Sequence, residues 1–358
     1  MLTWLRSFFS SQGRAISGSG DMVVPPAVDV TVSVVENKTD ADTGVVNAYG
    51  ISWMQRNEVT ADFTHWLFDA NDEAGIFVTP AEKRVLEELG RIVESPQSGS
   101  NLVRRLPGVL PQLLQSLRSD TFSGAALARM ISHDVVLVAE VLRLANHTSH
   151  GVKEAMTSIE HAVLVLGQSG LRQLISGVAF KPIIDLKSGH FTRSIAPRLW
   201  QQSEQCALAN RLLAEHEHVN AFEAFLAGLI QNVGLITSLR VLDQVAEGDT
   251  TLGSASFCNT LIEHARNFSC SIAREWQFSE AITTAIEEQG SKYNLASMSP
   301  MGRILSSGDF LSKVQLLEAH QLLRADATSS LSPLASACLQ QLGQAALMPE
   351  VAAVPPGA

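Results

Sequence analysis

The sequence predicts an all-α protein, a compact multi-helix bundle, on three observations. Helix-capping residues recur along the chain, as at Thr79-Pro80-Ala81-Glu82 and Thr157-Ser158-Ile159-Glu160. Apolar residues behind these caps repeat on one helical face, as Val85, Leu86, Leu89 and Ile92 do. Strand signals are weak: the Val-rich run Val135-Val136-Leu137-Val138 sits among helix caps and helix formers and reads as buried helix. No repeat of roughly 20–50 residues is present, which disfavours a solenoid. With 358 residues, the chain has room for about two domains and buries enough surface to need no disulfide or metal staple.

Each element follows in order. Residues 1–44 read as a short amphipathic start and a disordered linker. Leu2, Trp4, Leu5, Phe8 and Phe9 surround Arg6 in the first turns, too short a stretch to span a bilayer and without a signal-peptide pattern. A peripheral membrane contact by residues 1–11 is left open. Gly18-Ser19-Gly20 and Pro25-Pro26 then interrupt a segment without apolar periodicity, which cannot offset its ordering entropy. Residues 45–98 form a helical N-terminal segment. In it Thr79 and Glu82 can cap each other reciprocally, Pro80 suits the first helical position, and Pro96 to Gly99 stops the helix. From 100 to 325 helix follows helix. Ser123 and Asp134 are caps, Gly167 to Gly170 a break, and further helices are expected at 196–216, 221–245, 254–267, 269–276, 279–288 and 299–323. Residues 326–358 form a C-terminal helix, at 332–347, and a Pro-rich tail.

Composition narrows the function. The formal net charge is −10 and only 17% of residues are charged. Arg104-Arg105 is the densest basic point, so the chain offers no patch for a phosphate backbone and no nucleic-acid partner is expected. The four cysteines, Cys206, Cys258, Cys270 and Cys338, form no CxxC pair and no zinc spacing. They read as reduced, partly buried thiols of a cytoplasmic protein. No stretch approaches 18 consecutive apolar residues, so no transmembrane segment is expected.

An ordered series of small motifs carries a family resemblance. Leu106-Pro107 and Leu110-Pro111 precede Leu127-Ala128-Arg129-Met130-Ile131-Ser132-His133-Asp134. Val141-Leu142-Arg143-Leu144-Ala145-Asn146, Ser158-Ile159 and Leu166-Gly167 follow, then Leu199-Trp200 with Ser203, Ala224-Phe225-Leu226-Ala227-Gly228-Leu229-Ile230, and Trp276 in a helix. Across residues 100–300 this series resembles the HDOD domain, the HD-related output domain of bacterial signalling proteins, which places an HDOD unit at 99–325. The resemblance implies an HD-like helical bundle. Asp134 then reads as a helix cap, Asn146 as a helix end, Gly167 as a turn and Arg143 as an interaction residue, with Trp200 and Trp276 as structural positions.

The HD-type fold also implies a place for a metal site: a first His, an adjacent His-Asp pair and a later Asp, which together hold a divalent ion that activates water. His133-Asp134 is a decoy, because it stands where the resemblance has a capping Asp. The segment that matches the pair is Gly228-Leu229-Ile230-Gln231-Asn232-Val233-Gly234, and the pair reads Gln231-Asn232. The first His is replaced by Gln202, and only Asp309 resembles a ligand. Three neutral amides and one carboxylate are a poor set for a catalytic ion. Glu215-His216-Glu217-His218 looks metal-like, but residues two apart point away from each other on a helix, so a solvated helix end is expected there. His147 and His150 flank a turn, and no Gly-rich phosphate loop or nucleophile elbow occurs.

The resulting expectation is a non-enzymatic regulatory module acting through protein partners in trans, with no catalytic residue, metal or cofactor, and with a homodimer left open. The alternative is a nucleotide-binding protein or residual metal-dependent phosphohydrolase whose pocket is lined by Gln202, Gln231, Asn232 and Asp309.

Overall fold

The computed structural model describes residues 46–69, 75–94, 176, 189–246, 252–290 and 297–347. The expected linker at 1–44, the caps at Ser123, Asp134 and Thr157, the turn histidines His147 and His150, and the family-motif positions Arg143, Asn146 and Gly167 lie outside these residues. The described residues are all-α, as expected. In chain order the helices are α1 (Trp53–Leu67), α2 (Pro80–Glu94), α3 (His190–Leu213), α4 (Ala221–Ile230), α5 (Val233–Val245), α6 (Ala255–Glu275), α7 (Glu280–Glu287), α8 (Pro300–Ala319) and α9 (Pro333–Leu347). Among the described residues the extended pairing is a single isolated bridge between Val46 and Ser52.

Local chemistry starts these helices. Ser52 accepts from the Gln55 N–H at 3.2 Å while Gln55 Oε1 accepts from the Ser52 N–H at 3.0 Å, a reciprocal box that opens α1. The expected box at α2 is present: Thr79 Oγ1 accepts from the Glu82 N–H at 3.2 Å, and the Glu82 carboxylate accepts from the Thr79 N–H at 2.7 Å. Glu82 also reaches across the fold. It accepts from the N–H groups of Gly253 (2.9 Å) and Ser254 (2.8 Å) and from Ser254 Oγ (2.8 Å), and Ser254 in turn caps α6. One buried carboxylate therefore fixes the starts of two helices.

Several helix boundaries differ from the expectation, among them the ends of α3 at Leu213 rather than 216 and of α8 at Ala319 rather than 323. Helix α3 begins at His190, before residue 196, with Pro197 inside it. The reason is tertiary: the Asp243 carboxylate of α5 accepts from the N–H groups of Phe191 (2.8 Å) and Thr192 (3.1 Å), which supplies a cap that no neighbouring residue provides. The predicted 221–245 helix is broken at Gln231-Asn232 into α4 and α5. The predicted helices 254–267 and 269–276 are one helix, α6, whose Leu261, Ala265, Phe268 and Ile272 hold a single buried face through the supposed gap. Trp276 is the residue that ends α6 rather than one within it.

Helix α3 lies at the centre, packed on α4, α5, α8 and α9, while α6 contacts α2, α5 and α7. Trp200, Phe225, Phe257 and Phe310 are part of one continuous core, and Trp276 is buried in it too. Two glycines allow the closest approaches. A Cβ on Gly228 would strike the Ala207 backbone of α3, and one on Gly234 would strike the Ala265 carbonyl of α6. All four cysteines are free and buried. The segment 221–245 is apolar and long enough to cross a membrane by composition, yet 83% of its apolar window is buried inside the fold, as core helices are.

The N-terminal segment docks on this bundle. Helix α1 lies on α8 and touches α3. Arg324 grips Asp62 through two hydrogen bonds of 2.7 and 2.8 Å, and the Ser332 N–H donates to the Tyr49 carbonyl at 2.9 Å. The Glu215–His218 stretch is not simply a solvated helix end. It is a turn after α3 in which Glu217, with its side chain 9% exposed, pairs with Arg303 and accepts from the Tyr49 hydroxyl at 3.3 Å. His216 packs edge-on against Tyr49 at 5.6 Å.

Candidate functional site beneath the N-terminal helix

Gln202, Gln231, Asn232 and Asp309, which are far apart in sequence, meet in one hydrogen-bonded cluster. Gln202 stands on α3 and is fully buried. Its Nε2 donates to Asp309 Oδ1 at 2.9 Å and to Ser312 Oγ at 2.8 Å, and its Oε1 accepts from Asn232 Nδ2. Asn232 also donates to Ser203 Oγ at 3.0 Å, and Gln231 Nε2 donates to Asp309 Oδ1 at 3.4 Å.

The break between α4 and α5 aims the two amides. Ser269 of α6 clips it: the Ser269 hydroxyl donates to the Gln231 carbonyl at 2.7 Å and accepts from the Gly234 N–H at 2.9 Å. Asn232 sits at φ −95° and ψ 3°, the conformation that turns the chain between the helices. The sequence reading put the pair inside a continuous helix, whereas it lies at the break between α4 and α5. Gly234, just after the break, lets α6 approach the start of α5 closely.

Asp309 has a further partner that sequence reasoning missed. Lys313, one turn later on α8, donates to Asp309 Oδ2 at 2.6 Å and to Thr60 Oγ1 of α1 at 3.2 Å. Its ammonium also lies 5.7 Å from the centre of the Phe63 ring, near enough for a cation–π contact. Behind the cluster, burial and the Asp309 charge push the Cys206 thiol well above its ordinary pKa, so it is an inert thiol there.

These residues do not fit a divalent ion of the HD type. Among the described residues, no group of three His, Cys, Asp or Glu side chains is placed to hold one. One oxygen of Asp309 accepts from two amides and the other from an ammonium. An entering ion would have to displace that ammonium and then rely on amide oxygens, which are weak ligands for this chemistry.

In front of the cluster is a cavity of about 470 Å³. Gln231, Asn232, Asp309 and Lys313 line one side, and α6 residues Asn259, Glu263 and Arg266 line another. Trp53, Arg56, Asn57 and Thr60 of α1 complete the wall. Arg56 Nη1 donates to Ser306 Oγ at 2.8 Å. Burial lowers the pKa of both Arg56 and Arg266; nearby Asp309 opposes this at Arg56 and nearby Glu263 at Arg266. The Lys313 position was legible as an i, i+4 partner of Asp309 on a helix. Arg56 and Arg266 were not, because only tertiary packing brings α1 to α6.

The described residues thus form an all-α bundle with a cluster of three carboxamides and one carboxylate beside the cavity. The HDOD domain family model matches residues 103–291, and the chain belongs to that family. An uncharacterised protein of Treponema pallidum (strain Nichols) is 22% identical over 159 residues. That match covers 44% of this chain and 30% of the relative, so the chain spans under a third of its length. Two crystal structures share the fold. One, of a presumptive phosphohydrolase from Shewanella amazonensis SB2B, has a TM-score of 0.50 and 19% identity, and covers 71% of this chain and 97% of that one. The other, of a presumptive signal transduction protein from Marinobacter aquaeolei VT8, has a TM-score of 0.53 and 16% identity, and covers 76% and 65%.

Proposed function

We propose that this chain is a non-enzymatic signal-transduction module that acts through protein–protein interaction and carries a degenerate HD-type site. The observation that supports this reading is the closure of Asp309, the one carboxylate of the cluster, by Lys313 and the Gln202 and Gln231 amides. A metal-bound hydroxide needs a cation held by several anionic or imidazole donors. Here an internal cation on Asp309 and three neutral amides stand in that place. The site's chemistry is therefore that of a packed polar core, and the regulatory output falls to the surfaces of the bundle. The partner proteins would act in trans in the cytoplasm.

The test is elemental mass spectrometry of the full chain purified without chelator and incubated with Mn²⁺, Fe²⁺ or Ni²⁺, followed by hydrolysis assays on a generic phosphodiester. Metal well below one ion per chain and no turnover are expected. One or two tightly held ions, or hydrolysis abolished by Asp309→Asn, would overturn the reading in favour of a residual phosphohydrolase.

A further inference from the structure

The cavity in front of the amide cluster carries cationic groups that the cluster does not use. Arg266 is half-buried on α6 and has no hydrogen bond or ion pair with a described residue. The Arg56 side chain, on α1, makes one hydrogen bond among the described residues, from one terminal nitrogen to Ser306. Both guanidiniums line the same cavity; burial is the main cause that lowers the Arg266 pKa, the Glu263 charge opposes it, and nearby Arg56 adds a smaller lowering. Half-buried guanidiniums facing one cavity repel each other unless an anion lies between them, and their planar forks match phosphate oxygens. Lys313 adds no net charge, since Asp309 balances it, and Glu263 is exposed three residues before Arg266.

The cavity is much larger than one phosphate needs. At about 470 Å³ it falls within the range of small-molecule sites. Trp53, 48% exposed, supplies an aromatic face on its wall, and the carboxamides of Asn57, Gln231 and Asn232 supply donors and acceptors. We propose that this cavity binds a nucleoside phosphate without metal, its phosphate bridged by Arg56 of α1 and Arg266 of α6. This rests on the reading of the site as non-hydrolytic and adds a ligand to it. Arg56 lies outside the family match at 103–291, and Arg266 lies inside it. The ligand would therefore fasten the N-terminal helix to the family bundle, which gives the module a small-molecule input.

Titration calorimetry on the full chain in EDTA tests this, with inorganic phosphate, pyrophosphate and the ribonucleoside 5′-mono- and triphosphates as probes and chromatography of the recovered ligand. Saturable binding of at least one nucleotide, about one per chain, is expected. Arg56→Gln and Arg266→Gln should each weaken it by about tenfold or more, the usual scale for a lost charge-assisted hydrogen bond. Trp53→Ala should weaken the nucleotide but not pyrophosphate. No binding by any probe at millimolar concentration would overturn the site while leaving the non-enzymatic reading intact. Pyrophosphate binding as tight as every nucleotide would overturn the nucleoside part. Recovery of hydrolysed ligand would instead overturn the non-enzymatic reading while the site stood. A measurement on the unsubstituted protein covers variants that fail to fold: phenylglyoxal labelling mapped by mass spectrometry. Nucleotide should protect Arg56 and Arg266, and protection only at other arginines would overturn the proposal.

Discussion

Glu82 and Asp309 are both carboxylates set into the interior, and they are satisfied in opposite ways. Glu82 accepts from three backbone N–H groups and one hydroxyl, all neutral, at the starts of α2 and α6. Asp309 accepts from two carboxamides and an ammonium, all side chains. Backbone donors cannot be changed by substitution, so a carboxylate tied to them is a fixture of the fold. Side-chain donors can be exchanged residue by residue. The Asp309 cluster is held by side chains alone, and each of its polar side chains has a hydrogen-bonding partner.

The largest effect that could break this comparison is at Glu82. Glu82→Ala strands buried donors at two helix starts, and a loss of at least about 3 kcal/mol is expected, since each orphaned group costs ~1–3 kcal/mol. Urea denaturation measures it, and a loss under about 1 kcal/mol would show that the link between α2 and α6 is incidental. Acid sharpens the same point. Burial alone would raise the Glu82 pKa, but its hydrogen bonds from Thr79, Ser254 and Gly253 outweigh that and hold it below the ordinary value. Its contribution is thus fully present above the unfolded carboxyl pKa of about 4.3 and is lost as pH falls through the lower folded value. Glu82→Gln should have a shallower loss of stability on acidification below about pH 4 than the unsubstituted protein, read from urea midpoints against pH.

Next in size is Lys313→Met, which leaves Asp309 without its counter-charge. The pair is only 12% and 19% exposed, and breaking such a pair costs about 2–3 kcal/mol. The double variant with Asp309→Leu should recover most of that loss. If the double variant were no better than Lys313→Met, the ion pair would not be the connection that matters. Gln202→Leu should cost about 1–2 kcal/mol by removing one hydrogen bond each from Asn232, Asp309 and Ser312. The smallest change is at the cavity wall: Arg266→Gln should alter stability by less than about 0.5 kcal/mol, because no described residue relies on that guanidinium. A large loss in calorimetry would make Arg266 a structural residue.

Much of the helical order was legible. The Thr79–Glu82 box, the ends of α7 and α9 and the buried cysteines follow from local caps, periodicity and composition. The four positions Gln202, Gln231, Asn232 and Asp309 were also identified, since their motifs recur in a fixed order. The misses share one cause. Helix α3 starts early because Asp243 lends a cap from α5, and α4 breaks from α5 where Gly234 lets α6 come close. The Glu215–His218 turn gained an ion pair from Arg303 on α8. Each involves a partner many residues away, which periodicity cannot register.

By itself the sequence determined the all-α class, the family and the amide identity of positions Gln202, Gln231 and Asn232. These depend on residue type and local spacing, which a linear reading contains. Only the tertiary structure decided that Lys313 occupies the remaining carboxylate with Thr60 of α1 as its second partner. The same packing set Arg56 of α1 and Arg266 of α6 on one cavity. Charge distribution around a site depends on distances between elements, and packing across the bundle sets those distances.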